Sequence, residues 1–255
     1  MKQSERFRII TEMVQKEGSV KVAELSRILD CSEVTVRKDI MELDEQGIVK
    51  RTHGGAVFAD RKIAFTFEAG SYFLHEEEKR RIAQRAYEYI EDGDSIIIDD
   101  STTGCYLAQC IRQMGRKGIS VVTNSLYSAM ILSAAENVNL FFVGGQLSMD
   151  PPVALDSIAI KGVARFHVNK AFIGAHGINF KVGLTSMTVS QMEMKQAMIG
   201  LSDKIYVMAD SSKFGSRNMF TVYGFDRIDR IITDSGIREA DCLTAKEMNV
   251  TLDIV

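Results

Sequence analysis

Apolar residues recur at helical spacing in three short segments near the start of the chain. The first segment predicts a helix over Ser4–Glu17, and Gly18 is placed to end it. The next two segments predict helices over Val22–Leu29 and Glu33–Gln46. The apolar residues that define the three buried faces are Phe7, Ile10, Met13 and Val14, then Val22, Leu25, Ile28 and Leu29, then Val36, Ile40 and Leu43.

The tight turn Asp30-Cys31-Ser32 separates the second helix from the third, and a short strand of apolar and basic residues follows Gly47. This order of elements predicts a winged helix-turn-helix, a fold that reads DNA. Ser32 is placed to cap the third helix, and the N-terminal part of such a helix contacts base edges. The residues predicted to contact DNA are Ser32, Glu33, Thr35, Arg37, Lys38, Lys50, Arg51 and His53.

Thr35 and Arg37 are the candidate base readers, because they face outward near the start of the third helix. The basic side chains at positions 38, 50 and 51 are expected to hold phosphates. His53 fits a phosphate contact and a hinge or surface role equally well. The alternative for the whole segment is a scaffold of three amphipathic helices, but the turn spacing and the wing favour DNA binding.

The pattern changes after residue 57. Residues 58–73 show no clear period and are expected to link two domains, residues 1–57 and 74–255. A helix is predicted over Leu74–Ile90, and beyond it short apolar runs alternate with helical stretches. Such alternation predicts an α/β domain with a mostly parallel sheet that is covered on both faces. The predicted strands are Ser95–Ile98, Ile119–Val122, Asn139–Val143, Lys170–Ile173, Lys204–Met208 and Arg230–Ile232.

Several of these strands end in acidic, hydroxylated or glycine residues. Ligands of open α/β sheets bind beyond the carboxyl ends of the strands, where helix N-termini favour an anion such as phosphate. Each loop alone is more simply explained as an N-cap or a turn, but five at one sheet edge favour a ligand site. The residues predicted to bind this ligand are Asp99, Asp100, Ser101, Thr102, Thr103, Thr123, Asn124, Ser125, Gly144, Gly145, Gly174, Asp210 and Lys213.

The composition is that of an ordinary soluble globular protein, with 255 residues of which 45% are hydrophobic and 25% charged. The net charge of −3 does not favour DNA binding, so any contact depends on where the basic groups point. No apolar run reaches the roughly 20 residues that span a bilayer, so no membrane partner is expected. Four scattered cysteines indicate a reducing cytoplasm without a zinc site. Neither GxGxxG nor a Walker lysine loop is present, and no cofactor is expected.

On these residues the chain resembles the DeoR family of bacterial transcriptional regulators over nearly its whole length. The N-terminal likeness rests on Val22-Ala23-Glu24-Leu25, Ser32, Thr35-Val36-Arg37, Asp39 and Arg51-Thr52-His53-Gly54-Gly55-Ala56. The C-terminal likeness rests on stretches that include Glu78-Lys79, Thr123-Asn124-Ser125, Ala171-Phe172-Ile173-Gly174, Lys195, Met198 and Asp210-Ser211-Ser212-Lys213. The resemblance implies a homodimeric or homotetrameric repressor. It also implies a C-terminal domain, similar in fold to ribose-5-phosphate isomerase, that binds a phosphorylated sugar and thereby weakens the hold on operator DNA.

Three departures from the family pattern affect the predicted roles. Lys38 stands where arginine is usual, which suits a phosphate contact better than base reading. Ser101 replaces a usual glycine and Asn169 a usual aspartate, which leaves the identity of the effector open. The rival class is a sugar-phosphate enzyme with a DNA-binding module, although no dedicated acid–base pair is visible and an enzyme is not expected. An activator with the same sensor is a third interpretation.

Overall fold

The computed structural model of the chain divides into two compact units, Met1–Thr66 and Phe67–Val255. The predicted DNA contact at His53 and residues 59–73 of the expected linker lie outside the part that the structure describes. The described residues are 3–45, 49–52, 54–58, 74–115, 118–149 and 151–255.

The first unit is a small helical domain with an antiparallel wing. Its elements are α1 (Gln3–Glu17), β1 (Ser19–Lys21), α2 (Val22–Ile28), α3 (Glu33–Glu45), β2 (Val49–Thr52) and β3 (Gly55–Phe58). The three strands pair antiparallel in the order β1-β3-β2. The predicted helix-turn-helix and wing are therefore confirmed. Strand β1 was not predicted, because three residues between two helices are too few to show an alternating pattern.

The core of this unit consists largely of the predicted apolar positions, and Ile10, Leu25, Val36 and Leu43 are all fully or almost fully buried. Ile28 was predicted to be buried but is 49% exposed. It lies at the border of the stripe on α2 and at the last residue of that helix. Strands β1 and β3 pack so closely that a Cβ at position 55 would lie 1.8 Å from the carbonyl oxygen of Val20, and glycine is therefore required there.

The second unit alternates strands and helices along the chain. Its strands are β4 (Ser95–Ile98), β5 (Ile119–Thr123), β6 (Val138–Phe142), β7 (Leu147–Met149), β8 (Pro152–Ala154), β9 (Val168–Gly174), β10 (Gly177–Asn179), β11 (Gly183–Ser186), β12 (Ser202–Met208), β13 (Phe220–Tyr223), β14 (Arg230–Thr233) and β15 (Leu252–Ile254). Its helices are α4 (Glu76–Glu88), α5 (Thr102–Met114), α6 (Leu126–Leu132), α7 (Ser157–Val163), α8 (Val189–Gly200) and α9 (Glu239–Glu247).

Seven of these strands form one parallel sheet in the order β15-β14-β12-β9-β4-β5-β6. All six predicted strands lie in it, which confirms the α/β class. The apolar runs of the inner strands are buried on both faces, with Ile96, Ile97 and Ile98 of β4 fully enclosed. The edge strand β6 is an exception, since Phe141 and Phe142 are 40% and 39% exposed. After β4 the chain adds β5 and β6 on one side of that strand, and it later adds β9 on the other side. The strand order therefore reverses between β4 and β9. This reversal creates a crevice at the carboxyl ends of these two strands.

Two smaller sheets, which were not predicted, accompany the large one. Strands β7 and β8 form a hairpin, and β10, β11 and β13 form an antiparallel sheet in that order. Strand β15 was also missed, because its three residues show no distinct apolar run. Among the described helices, none is long and apolar enough to cross a membrane. In the same part of the chain, no group of three or more His, Cys, Asp or Glu side chains is arranged to hold a metal ion.

Candidate functional site

The buried stripe of helix α3 contains a carboxylate as well as the predicted apolar residues. Asp39 is 1% exposed and accepts two hydrogen bonds from the Arg6 guanidinium on α1. Nε of Arg6 lies 2.6 Å from Oδ2, and Nη2 lies 2.9 Å from Oδ1. A bidentate ion pair of this kind fixes the relative orientation of its two partners as well as adding stability. It therefore fixes α3 on α1 and leaves the opposite side of α3 facing solvent.

The hydroxyl groups at the start of α3 serve as its cap. Ser32 Oγ accepts a hydrogen bond from the backbone N–H of Thr35 at 3.2 Å, and the two hydroxyl oxygens lie 2.9 Å apart. This contact satisfies one of the N–H groups that a helix N-terminus leaves without an intrahelical partner. Thr35 is half-buried and its hydroxyl lies against Ser32 in the cap, and its role as a base reader stays a prediction.

The basic side chains predicted to touch DNA are exposed. Arg37 Nη2 donates to Glu33 Oε2 at 2.9 Å, one helical turn away. An exposed pair adds little stability, but it limits the directions in which the guanidinium points. Arg37 and Arg51 line the same small hollow between α3 and the wing. Lys50 precedes Arg51 in β2 and therefore points to the other face of the strand, while Lys38 is exposed on α3.

The crevice between β4 and β9 is organised by a fully buried carboxylate. Oδ2 of Asp99 accepts a hydrogen bond from the N–H of Gly174 at 2.8 Å, and Oδ1 accepts one from the N–H of Ser101 at 3.1 Å. Ser101 Oγ in turn caps α5 by accepting from the N–H of Gly104 at 3.0 Å. Glycine is required at position 174, because a Cβ there would lie 2.3 Å from the Cβ of Ser101. The predicted residues 99, 101 and 174 are thus in direct contact.

Lys195 on α8, which is not among the residues predicted for this site, completes this arrangement. It is 3% exposed, forms an ion pair with Asp99 and donates to the carbonyl oxygen of Gly174 at 2.9 Å. Burial opposes both charges, but their mutual attraction is stronger. The pKa of Asp99 is therefore lowered and the pKa of Lys195 is raised. The pair ties α8 to the carboxyl ends of β4 and β9.

Three buried polar atoms beside this pair have no hydrogen-bond partner within the described residues. They are Asp100 Oδ1 after β4, Asn124 Oδ1 after β5 and His176 Nδ1 after β9. The amide nitrogen of Asn124 is occupied, because it donates to the carbonyl oxygen of Ala154 at 3.1 Å. Buried polar atoms normally have partners, and exceptions mark places where a ligand or ordered water completes the site. Three such atoms on neighbouring strands therefore indicate a ligand-binding site.

Positive charge lies near the same edge of the sheet. Lys79 on α4 is buried, and its pKa is lowered by burial and by the nearby Lys213, against the attraction of Asp210. Oδ1 of Asp210 accepts a hydrogen bond from the N–H of Ser212 at 3.1 Å and so shapes the turn that carries Lys213. Lys213 also contributes to lowering the pKa of His176, after burial and Lys195. Two lysines held close together favour an anionic ligand.

Two predicted residues after β5 have structural roles. Ser125 Oγ caps α6 by accepting from the N–H of Ser128 at 3.3 Å. Thr123 Oγ1 accepts a hydrogen bond from the N–H of Ser125 at 3.1 Å. Both side chains are buried. These two hydroxyls therefore hold the loop that presents Asn124.

The predicted glycines after β6 lie in a different setting. Gly144 and Gly145 are exposed, and Gly145 lies against Asp156, the N-cap of α7. A Cβ at position 145 would lie 2.1 Å from Asp156 Oδ1, so the close approach of this carboxylate accounts for the glycine. By contrast, Thr102 and Thr103 form the first turn of α5, directly after the Asp99 loop. The N–H groups of a first helical turn are suited to an anion.

The two buried lysines of this site, Lys79 and Lys195, could have been found from the sequence. Lys79 lies three residues before Ile82, on the apolar side of α4. Lys195 lies three residues before Met198 and next to Met194, both of which are fully buried. A lysine on the apolar face of an amphipathic helix is rarely buried without a charged partner. A charged residue at a position where the helical pattern predicts an apolar one was therefore the signal for both lysines.

The structure corrects the interpretation of Asn169. Its Oδ1 accepts a hydrogen bond from the N–H of Ser95 at 2.9 Å, and its own N–H donates to Ser95 Oγ at 3.1 Å. These residues lie at the amino ends of β9 and β4, whereas the ligand residues follow the carboxyl ends. Asn169 therefore joins two strands and has no bearing on the identity of the effector.

His176 is expected to make the stability of the C-terminal unit depend on pH. Burial lowers its pKa to about 4, from about 6.5 in the unfolded chain. The unfolded state therefore binds more protons between these values, so stability is complete above pH 6.5 and falls as the pH decreases towards 4. The free energy of unfolding is expected to fall by about 2 kcal/mol over this range, because the ring is partly exposed and solvent screens part of the effect. Urea unfolding of the wild type and of His176→Gln across this pH range measures the free energy of unfolding of each protein. If the two values change in parallel with pH, the prediction is wrong.

Comparison with known proteins identifies both parts of the chain. The DeoR-like helix-turn-helix domain matches residues 6–62, and the DeoR C terminal sensor domain matches residues 74–235. The uncharacterized HTH-type transcriptional regulator YulB of Bacillus subtilis is 34% identical over 97% of this chain and 96% of its own length. The lactose phosphotransferase system repressor of Streptococcus mutans is 29% identical over 92% of this chain and 93% of its own length. Both relatives are named as regulators and neither as an enzyme.

A solved structure also resembles part of the chain. Ribose 5 phosphate isomerase A from Neisseria gonorrhoeae aligns over 55% of this chain and 53% of its own, with 19% identity and a TM-score of 0.41. A likeness of this extent concerns the fold and carries no conclusion about activity.

Proposed function

This chain belongs to the DeoR family of transcriptional regulators, and we propose that it represses a carbohydrate operon and leaves its operator when a phosphorylated sugar binds. The family assignment follows from matches to both family domains and from a relative that is 34% identical over nearly the whole chain. The carbohydrate part is supported by a relative that is named as the repressor of a lactose phosphotransferase system.

The observation that carries the effector proposal is the set of unpartnered polar atoms at the carboxyl ends of β4, β5 and β9. Asp100 and Asn124 provide acceptors for sugar hydroxyls, and His176, neutral near pH 7, can donate or accept at Nδ1. Lys79 and Lys213 provide positive charge for a phosphate. A polyhydroxylated anion can contact the polar atoms through its hydroxyl groups and the two lysines through its charge, whereas an uncharged sugar offers only the first of these interactions.

On DNA, the N-terminal unit places α3 in the major groove. Arg37 reads a base edge, and Glu33 holds its guanidinium in position through their ion pair. Lys38, Lys50 and Arg51 contact phosphates. Assembly into a homodimer or homotetramer brings two or four such units together, which strengthens a contact that the net charge of −3 does not favour.

Release from the operator requires that the effector bind one arrangement of the protein better than the other. A tenfold loss of operator affinity needs only about 1.4 kcal/mol of differential binding. Because the Asp99–Lys195 pair connects α8 to β4 and β9, a ligand bound beside it acts on three elements of the domain at once. Effector and operator then weaken each other's binding to the same extent.

The sensor proposal predicts a specific thermal shift. A panel of sugar phosphates, each beside its unphosphorylated sugar, is tested on the full chain. We expect one phosphorylated sugar to raise the Tm by about 5–10 °C at a hundredfold excess over its Kd, because only the folded state binds it. Lys213→Ala should remove most of this shift and leave operator binding in the absence of effector unchanged.

Lys204→Ala is the matched control, because Lys204 is an exposed lysine near the amino end of β12 rather than beyond its carboxyl end. It should retain the full shift. Equal shifts with a sugar and its phosphate would refute the phosphate-binding role. A shift that survives in Lys213→Ala would remove that lysine from the site and leave the effector proposal intact.

A further inference from the structure

The outward face of α3 has an apolar side chain at its centre. Val34 is 73% exposed, which is unusual for a valine in the first turn of a helix that is otherwise amphipathic. Met41, seven residues later and so two turns along the same stripe, is 42% exposed. The buried stripe, which contains Val36 and Ile40, lies on the opposite side of the helix. Val34 is thus the side chain in the first turn of α3 that points most directly away from the core.

Helix formation does not account for this valine. A β-branched residue loses side-chain freedom in a helix, and at an exposed position an unbranched residue would serve the helix better. Val34 also makes no contribution to the core of its unit, which Val36 and Leu43 fill from the other side of α3. The methyl groups of Val34 are therefore available to a partner.

The side chains around Val34 indicate what that partner is. Arg37 and Lys38 lie three and four residues further along α3, one turn from Val34, and both are exposed. Arg51 of the wing faces the same hollow as Arg37. An apolar group bordered by cations complements a DNA major groove, where phosphates flank the base edges. The 5-methyl group of thymine is the apolar group that base edges present there.

We infer that Val34 contacts the 5-methyl group of a thymine in each operator half-site and so determines specificity at that base pair. The inference rests on the proposed binding of α3 in the major groove. Val34 and Arg37 are separated by about 4.5 Å along the helix axis, comparable with the roughly 3.4 Å between successive base pairs. The thymine is therefore expected next to, or within two base pairs of, the base that Arg37 reads.

Selection from a random duplex library tests this inference and does not require a defined operator sequence. The full-length wild type, Val34→Ala and Ile28→Ala are each used to enrich bound duplexes, which are then sequenced. Ile28 is the matched control, because it is an exposed β-branched residue of α2 outside the proposed contact surface. Alanine is a better helix former than valine, so Val34→Ala is expected to fold, and far-UV circular dichroism checks this.

We expect the wild type and Ile28→Ala to enrich a thymine at one position of each half-site, and Val34→Ala to lose that preference. Replacing this thymine by uracil, which lacks only the methyl group, should weaken wild-type binding about three- to fivefold. The same replacement should leave the affinity of Val34→Ala unchanged. This second measurement isolates the methyl contact from every other feature of the base pair.

Two outcomes overturn the inference while leaving DNA binding intact. One is that Val34→Ala retains the thymine preference, and the other is that uracil weakens binding of the wild type and of Val34→Ala equally. If the wild type enriches no sequence at all, the proposed operator binding itself fails and the inference fails with it.

Discussion

Lys195→Met is expected to destabilise the C-terminal unit by about 3–5 kcal/mol, because it leaves Asp99 buried without its cation. Methionine retains much of the length and apolar surface of lysine, so the lost charge dominates the effect. Urea unfolding followed by tyrosine fluorescence measures it. All seven tyrosines lie at position 72 or later and the chain has no tryptophan, so this signal reports the C-terminal unit alone.

The dependence of this loss on pH identifies its cause. Without Lys195, burial raises the pKa of Asp99 above its unfolded value, so the variant recovers stability relative to the wild type as the pH falls and Asp99 binds a proton. Adding Asp99→Asn to Lys195→Met should recover part of the loss at neutral pH, because neither charge remains. Lys204→Met, at an exposed position, should change stability by no more than about 0.5 kcal/mol. A loss for Lys195→Met that is equally small would mean that the pair does not support the crevice.

Arg37→Ala is expected to weaken specific operator binding by about 1–3 kcal/mol, or roughly five- to 150-fold, if Arg37 reads a base. Folding should be almost unaffected, because the ion pair with Glu33 is exposed on both sides. Affinities for an enriched operator and for unrelated DNA are measured at the same salt concentration. The expected result is that the ratio of the two affinities falls.

Lys38→Ala is the comparison for this variant, because it removes a neighbouring charge assigned to a phosphate. It should weaken binding to all sequences to a similar degree and reduce the slope of log affinity against log salt by about one. If Arg37→Ala behaves in the same way, with an unchanged ratio of specific to nonspecific affinity, Arg37 holds a phosphate and does not read a base.

Much of the architecture was predictable because its signals are local. The helices of the N-terminal unit follow from apolar residues at three- and four-residue steps, and the six predicted strands follow from short apolar runs, which are typical of a parallel sheet that is buried on both faces in its inner strands. The smaller sheet of β10, β11 and β13 was not predictable, since three- and four-residue strands show little alternation. The pairing partners of such strands depend on segments distant in sequence.

The candidate sites show the same division. Residue patterns alone were enough to predict a reader of DNA joined to an α/β ligand-binding domain, with acidic and hydroxylated loops at one end of its strands. They did not reveal that Lys195 pairs with Asp99, 96 positions earlier, or that Asn124 and His176 have unpartnered atoms beside that pair. Nor did they reveal that the hydroxyl of Thr35 is engaged with the α3 cap while Val34 faces outward. Residue types and the periodicity of apolar positions can be read from the sequence, whereas burial and hydrogen bonding depend on neighbours that only folding brings into contact.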